Sequence, residues 1–165
     1  MHARPFIDSL DFASNGQQIS SEVLVADLSR LADVLSNSEG ALSYTIRGAV
    51  NKYHIPLLVL KLNGKCQLTC QRCLQGMSYE IQVDTSVLLR DQAGLDQLDD
   101  AELDEEYESI LADAHLDVWH LLEDEILLSL PFAPKHESGV CRSTSEVEPQ
   151  QNESHPFAAL TKLKN

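Results

Sequence analysis

At 165 residues, 43% hydrophobic and 23% charged, the chain has the size and balance of one soluble globular domain with extended termini. No apolar run is long enough to span a bilayer, and the opening "MHARPFIDSL" lacks the charged-then-apolar order of a signal peptide. A membrane role is thereby excluded and a cytoplasmic location expected. The net charge of −14 is unevenly placed: residues 91–134 hold 14 of the 26 acids and no lysine or arginine, while the remaining 12 acids match 12 basic residues elsewhere.

The first readable element starts strand-like at "QQISSEVL" and passes into a predicted helix, with Asp27 as N-cap and Leu28, Leu31, Ala32 and Leu35 on one face. Residues 37–40 end it with turn formers. "ALSYTIRGAV" alternates through Leu42, Tyr44 and Ile46 and reads as a strand. From 58 to 70 the even positions are Leu58, Leu60, Leu62, Gly64, Cys66, Leu68 and Cys70, with Lys61, Asn63, Lys65, Gln67 and Thr69 between them. That period of two means one buried and one wet face. Gly64 marks a bulge or a close approach. The alternation resumes after "CQRC" with Met77, Tyr79, Ile81, Val83 and Val87, so the cysteine pair caps a long antiparallel hairpin.

The run "DQAGLDQLDDAELDEEYE" (residues 91–108) is expected to be a flexible acidic loop, held open by self-repulsion. "EYESIL" reads as a short strand. "LDVWHLLEDEILLSLP" reads as the principal helix, with Asp117 as N-cap, Val118, Leu121, Leu122 and Ile126 inward, Trp119 in the core and Pro131 at the exit. Residues 142–155 have the composition of a flexible linker. Residues 156–165, "PFAALTKLKN", read as a short C-terminal helix or docking segment carrying Phe157, Leu160 and Leu163. The predicted architecture is one α+β domain over 1–141, either an antiparallel sheet or a partly open barrel with a few packed helices.

Cys70 and Cys73 do not precede a helix, which argues against thioredoxin-like redox chemistry. Two cysteines on a tight turn can present both sulfurs to one tetrahedral ion, and "PFAPKHESGVC" offers His136 and Cys141 as the other two ligands. The alternatives are a structural zinc at Cys70, Cys73, His136 and Cys141, or a reduced turn without metal. Cys66 belongs to the inward face. No phosphate-binding glycine loop or nucleophile elbow is present, and Glu123, Asp124 and Glu125 are consecutive on a helix and cannot converge on one substrate. They read as a polar face, and neither an enzyme activity nor a small-molecule substrate is expected.

"CQRCL", an acidic stretch, "LLEDEILLSLPFAPKH" and the terminal "HPFAALTKLK" together resemble the YceD family of large ribosomal RNA subunit accumulation proteins, from about residue 20 onward. The matching positions are Cys70, Arg72, Cys73, Glu123, Asp124, Glu125, Leu130, Pro131 and His136. The resemblance implies a bacterial cytoplasmic protein of ribosome biogenesis, supporting synthesis, processing or stability of 23S rRNA, with no established catalysis. Many relatives carry extra cysteines after the main helix that would complete a zinc site; here His136 and Cys141 stand in that region.

Two mechanisms are compatible with that role. The acidic pole, with Glu102, Asp104, Glu105, Glu106, Glu123, Asp124 and Glu125 as candidate contacts, suits a basic ribosomal protein or large-subunit assembly factor and repels a bare phosphate backbone. It would otherwise be a solubilising face. The alternative is direct 23S rRNA contact through Lys61 and Lys65 on the hairpin face, with Arg47, Lys52 and Arg72 expected nearby; otherwise these lysines belong to a solvated sheet face.

Overall fold

The structure is a computed structural model and describes residues 4–96 and 107–141. In chain order the elements are β1 (Phe6–Ile7), α1 (Ser9–Ser14), β2 (Gln18–Leu24), two 3-10 turns (Val25–Asp27 and Ser29–Leu31), β3 (Ala41–Val50), β4 (Pro56–Thr69), β5 (Gly76–Arg90), α2 (Gln92–Asp96), β6 (Glu108–Leu111), β7 (Leu116–Asp117) and α3 (Val118–Ser129). Five strands form an open sheet in the order β2-β3-β4-β5-β6, and β1 pairs with β7 beside it. The α+β expectation holds, in its open-sheet form.

The period of two in the sequence becomes two faces. Leu42, Tyr44 and Ile46 of β3, Leu58 to Leu68 at even positions of β4, and Ile81, Val83 and Val87 of β5 are buried; Gly64, only half-buried, is the one gap in that series. Lys61, Asn63, Lys65, Glu80, Gln82 and Asp84 are exposed on the other side. At Gly64 the β3–β4 and β4–β5 ladders run on without a break. A Cβ there would lie 2.5 Å from Leu42 Cδ2 and 2.8 Å from the Ala41 carbonyl, so this glycine serves close approach and makes no bulge.

The β5–β6 pair is parallel, unlike every other pair in this sheet. A parallel neighbour needs a crossover of a dozen or more residues. Residues 91–107 supply that length, so the acidic stretch is also the connection that lets β6 pair. Residues 97–106, with Glu102, Asp104, Glu105 and Glu106, lie outside the described residues, as do the linker 142–155 and the segment 156–165.

Helix α3 forms as its sequence predicts. Asp117 caps it by accepting from the Trp119 and His120 N–H groups at 3.0 and 3.2 Å. It buries Val118, Trp119, Leu121, Leu122 and Ile126 against the sheet. Arg4 bonds Asp117 at 2.6 Å and lies 5.7 Å over the Trp119 ring. No helix among the described residues is long and apolar enough to cross a membrane.

Two expectations are corrected here. The helix predicted from Asp27 to Leu35 is replaced by the two 3-10 turns. Leu28 and Leu31 are buried as foreseen, but Ala32 is exposed. Ser29, Asp33 and Ser36 compete with the backbone in a helix interior. The chain is instead drawn to the sheet, where Leu35 bridges Leu68 and the Ser36 N–H donates to the Gln67 carbonyl at 2.8 Å. The polar face expected at Glu123–Glu125 exists at Asp124 alone, because Glu123 and Glu125 are only 1% and 8% exposed. Glu123 Oε1 accepts the Arg30 backbone N–H at 2.9 Å, fastening the second 3-10 turn to α3, while its buried Oε2 has no hydrogen-bond partner among the described residues.

Candidate metal centre

The β4–β5 hairpin closes through residues 70–75. The Cys70 N–H donates to the Gln75 carbonyl and the Leu74 N–H to the Cys70 carbonyl, both at 2.9 Å. Leu74 takes the left-handed conformation, φ 57°, which a branched aliphatic side chain adopts at a cost. The tight turn faces both sulfurs the same way.

The remaining ligands arrive from the segment after α3. Pro131 cannot continue the helix, and the Pro134 carbonyl accepts the Gln71 N–H at 2.8 Å, laying residues 132–141 across the hairpin tip. Cys70 Sγ then sits 3.6 Å from Cys141 Sγ, and His136 Nδ1 lies 3.4 Å from Cys73 Sγ and 3.5 Å from Cys141 Sγ. All four ligand atoms fall within 4.8 Å of one another. Tetrahedral zinc, with bonds of about 2.3 Å to sulfur, spaces its sulfurs about 3.8 Å apart. The observed spacings are those of one small tetrahedron, so the cluster is able to bind a metal.

Its electrostatics suit a thiolate centre. Burial pushes the Cys70 thiol up, but the backbone N–H groups of Cys73, His136 and Arg72, with the His136 ring, draw it down to about 5. Cys141 is also lowered: burial opposes this, while the Arg72 guanidinium and His136 favour the thiolate. Cys73 moves up: the Gln75 backbone N–H favours its thiolate, but burial and the sulfurs of Cys70 and Cys141 prevail. His136 is raised by its bonds to Cys141 and Cys70. A cation would take over the stabilisation of the thiolates that the His136 ring and Arg72 provide, releasing protons as it bound.

Arg72 sits beside this cluster. Its Nε donates to Cys141 Sγ at 3.1 Å and its Nη2 to the His136 carbonyl at 3.4 Å. The four predicted ligands therefore converge, and Arg72, one of the four candidate RNA contacts, bonds two of them while remaining exposed. Nothing in the residue spacing announces that role, or the Gln71–Pro134 bond; both depend on how the segment after α3 crosses the tip. Cys66, pushed up by burial, is a core thiol remote from this chemistry.

Of the candidate RNA contacts, Arg47, Lys61 and Lys65 share the exposed face of the sheet, and Arg72 stands apart from them at the hairpin tip. Lys61 pairs with Asp84 at 2.9 Å and Lys65 stands opposite Glu80. Arg47 lies opposite Val59, eleven residues of strand from Cys70 and so roughly 35 Å from Arg72. Among the candidate acidic contacts that are described, Asp124 is the accessible one, and it bonds Arg30 at 2.5 Å.

Residues 58–164 match the family described as Large ribosomal RNA subunit accumulation protein YceD, a span that includes all four candidate ligands. A protein of that name from Haemophilus influenzae is 32% identical over 154 residues, which cover 83% of this chain and 82% of the relative. No solved structure matches significantly. The family match over more than half of the residues, and the relative's extent beyond it, place this chain in the YceD family.

Proposed function

We propose that this protein is a non-catalytic ribosome-biogenesis factor that supports accumulation of the large-subunit 23S rRNA. It does so by holding a basic ribosomal protein or assembly factor against its acidic surface in the cytoplasm. The observation that carries the reading is membership of a family named for large ribosomal RNA accumulation.

The site chemistry supports a holding role. Four protein ligands fill the coordination shell of a zinc ion, leaving no open position for water or substrate. Zinc bound by Cys70, Cys73, His136 and Cys141 is then structural, pinning residues 132–141 to the hairpin tip. The charge distribution supports a basic partner: the acids of 91–134 have no lysine or arginine among them, and Lys61, one of two exposed lysines on the hairpin face, is ion-paired with Asp84. Such fields steer encounter and weaken as salt shortens the screening length from about 10 Å at 0.1 M to about 3 Å at 1 M.

The test neutralises Glu102, Asp104, Glu105 and Glu106 to their amides and follows two readouts, affinity capture at low and high salt and the cellular level of 23S rRNA. The wild type should recover a basic large-subunit protein at low salt only, the variant should not, and rRNA should fall with it. Unchanged 23S rRNA in cells carrying the variant would refute the acidic surface as the working part.

A further inference from the structure

Beside the hairpin tip lies a groove of about 500 Å³, lined by Val34, Leu68, Leu127, Leu130 and Phe132, with Asp33 as its only ionisable lining residue. Its apolar wall is poorly covered: Phe132 is fully exposed and Val34 is 39% exposed. We propose that this groove is the seat of the chain's own C-terminal segment, residues 156–165.

Three observations support that occupant. The first is where the described chain ends. Cys141 Sγ lies 3.6 Å from Cys70 Sγ, next to Gln71, which lines the groove and bonds Pro134 on its wall. The described chain thus ends beside Cys70, whose neighbour in sequence lines the groove. The second is length: fourteen polar-rich residues, 142–155, separate the described chain from the segment, and a flexible chain of that length has an r.m.s. span of about 20 Å, ample to reach a site this near. The third is chemistry. Phe157, Leu160 and Leu163 recur every third residue and match an apolar trough, and Lys162 and Lys164 match Asp33 on its rim.

Tethering makes a weak contact sufficient. A short flexible connection presents the segment at an effective concentration on the order of 1 mM, so an intrinsic affinity of about 0.1 mM keeps the groove filled roughly ten to one. The docked tail covers Phe132 and lies over the segment that carries His136 and Cys141. This proposal goes beyond the reading of the acidic surface and does not depend on it, since it needs only purified protein.

The experiment places a photoreactive phenylalanine analogue at position 132 of the full chain and irradiates it at low micromolar concentration. The expected product is a cross-link within one chain to a peptide from 156–165, lost with Phe157→Asp plus Leu160→Asp. In the same double variant, amide exchange at Phe132 and Ala133 should quicken about tenfold while β3–β5 stay protected, which separates undocking from unfolding. Cross-links between chains, cross-links to another region, or cross-links that persist in the double variant would each overturn the proposal.

Discussion

On the proposed zinc reading, removing the ion from Cys70, Cys73, His136 and Cys141 is expected to release residues 132–141 and leave the rest of the fold standing. None of residues 132–141 is buried. Without an ion, their attachments to the hairpin tip are the Gln71–Pro134 bond at 2.8 Å, the two Arg72 bonds to His136 and Cys141 at 3.4 and 3.1 Å, and the contacts of Cys141 with Cys70 at 3.6 Å and of His136 with Cys73 at 3.4 Å. Five such bonds contribute about 5 kcal/mol in all. Ordering the backbone of ten residues costs about 10 kcal/mol. The shortfall of about 5 kcal/mol is within what a structural zinc, binding with about 10–16 kcal/mol, would offset. The core cluster that joins the sheet to α1 and α3 includes none of these residues.

The assay is hydrogen exchange with and without a chelator, reading the Gln71 amide, whose acceptor belongs to the released segment, against amides of β3–β5. Gln71 should lose at least tenfold protection on chelation while the strands keep theirs, and far-UV circular dichroism should hardly change. Undiminished protection of Gln71 in protein verified as metal-free would show that the segment is held by something other than the metal. Loss of strand protection in step with Gln71 would show that the ion sustains the whole fold.

Two further outcomes follow from packing and charge. Glu125 is raised by burial and then by Glu108 and Asp124, so it holds its proton to higher pH in the fold than in the unfolded chain. The stability this contributes is full below its unfolded pKa and is lost as pH rises through the folded value; Glu125→Gln should therefore raise the urea midpoint near pH 8 and lose that advantage near pH 4. Gly48 lies under α1, where an added Cβ would fall 2.2 Å from the Phe12 carbonyl oxygen and 2.6 Å from Ala13 Cα. Gly48→Ala should cost about 1–3 kcal/mol by urea unfolding, with exchange quickened first in α1.

The sequence alone determined what depends on neighbours in the chain. The two-residue alternation from Leu58 to Val87 set both strands of the hairpin and their wet face, because successive strand side chains point to opposite sides. Asp117, the apolar spacing behind it and Pro131 likewise bounded α3, since capping and helical periodicity are local. The four residues that converge at the tip were also legible as candidate ligands, because a Cys-x-x-Cys turn offers two sulfurs and the segment after α3 carries His136 and Cys141.

Tertiary structure decided what depends on contacts between distant segments. Leu28 and Leu31 meet the core through 3-10 turns because Leu35 and Ser36 are claimed by the end of β4. Glu123 is buried because Arg30 offers it a backbone N–H from 93 residues away. The parallel β5–β6 pair requires a long crossover whose composition suggests only a solvated loop, and Arg72 turns toward Cys141 because Pro134 brings that segment onto the tip. Periodicity records which side of an element is dry; it carries no information about which remote group will meet it there.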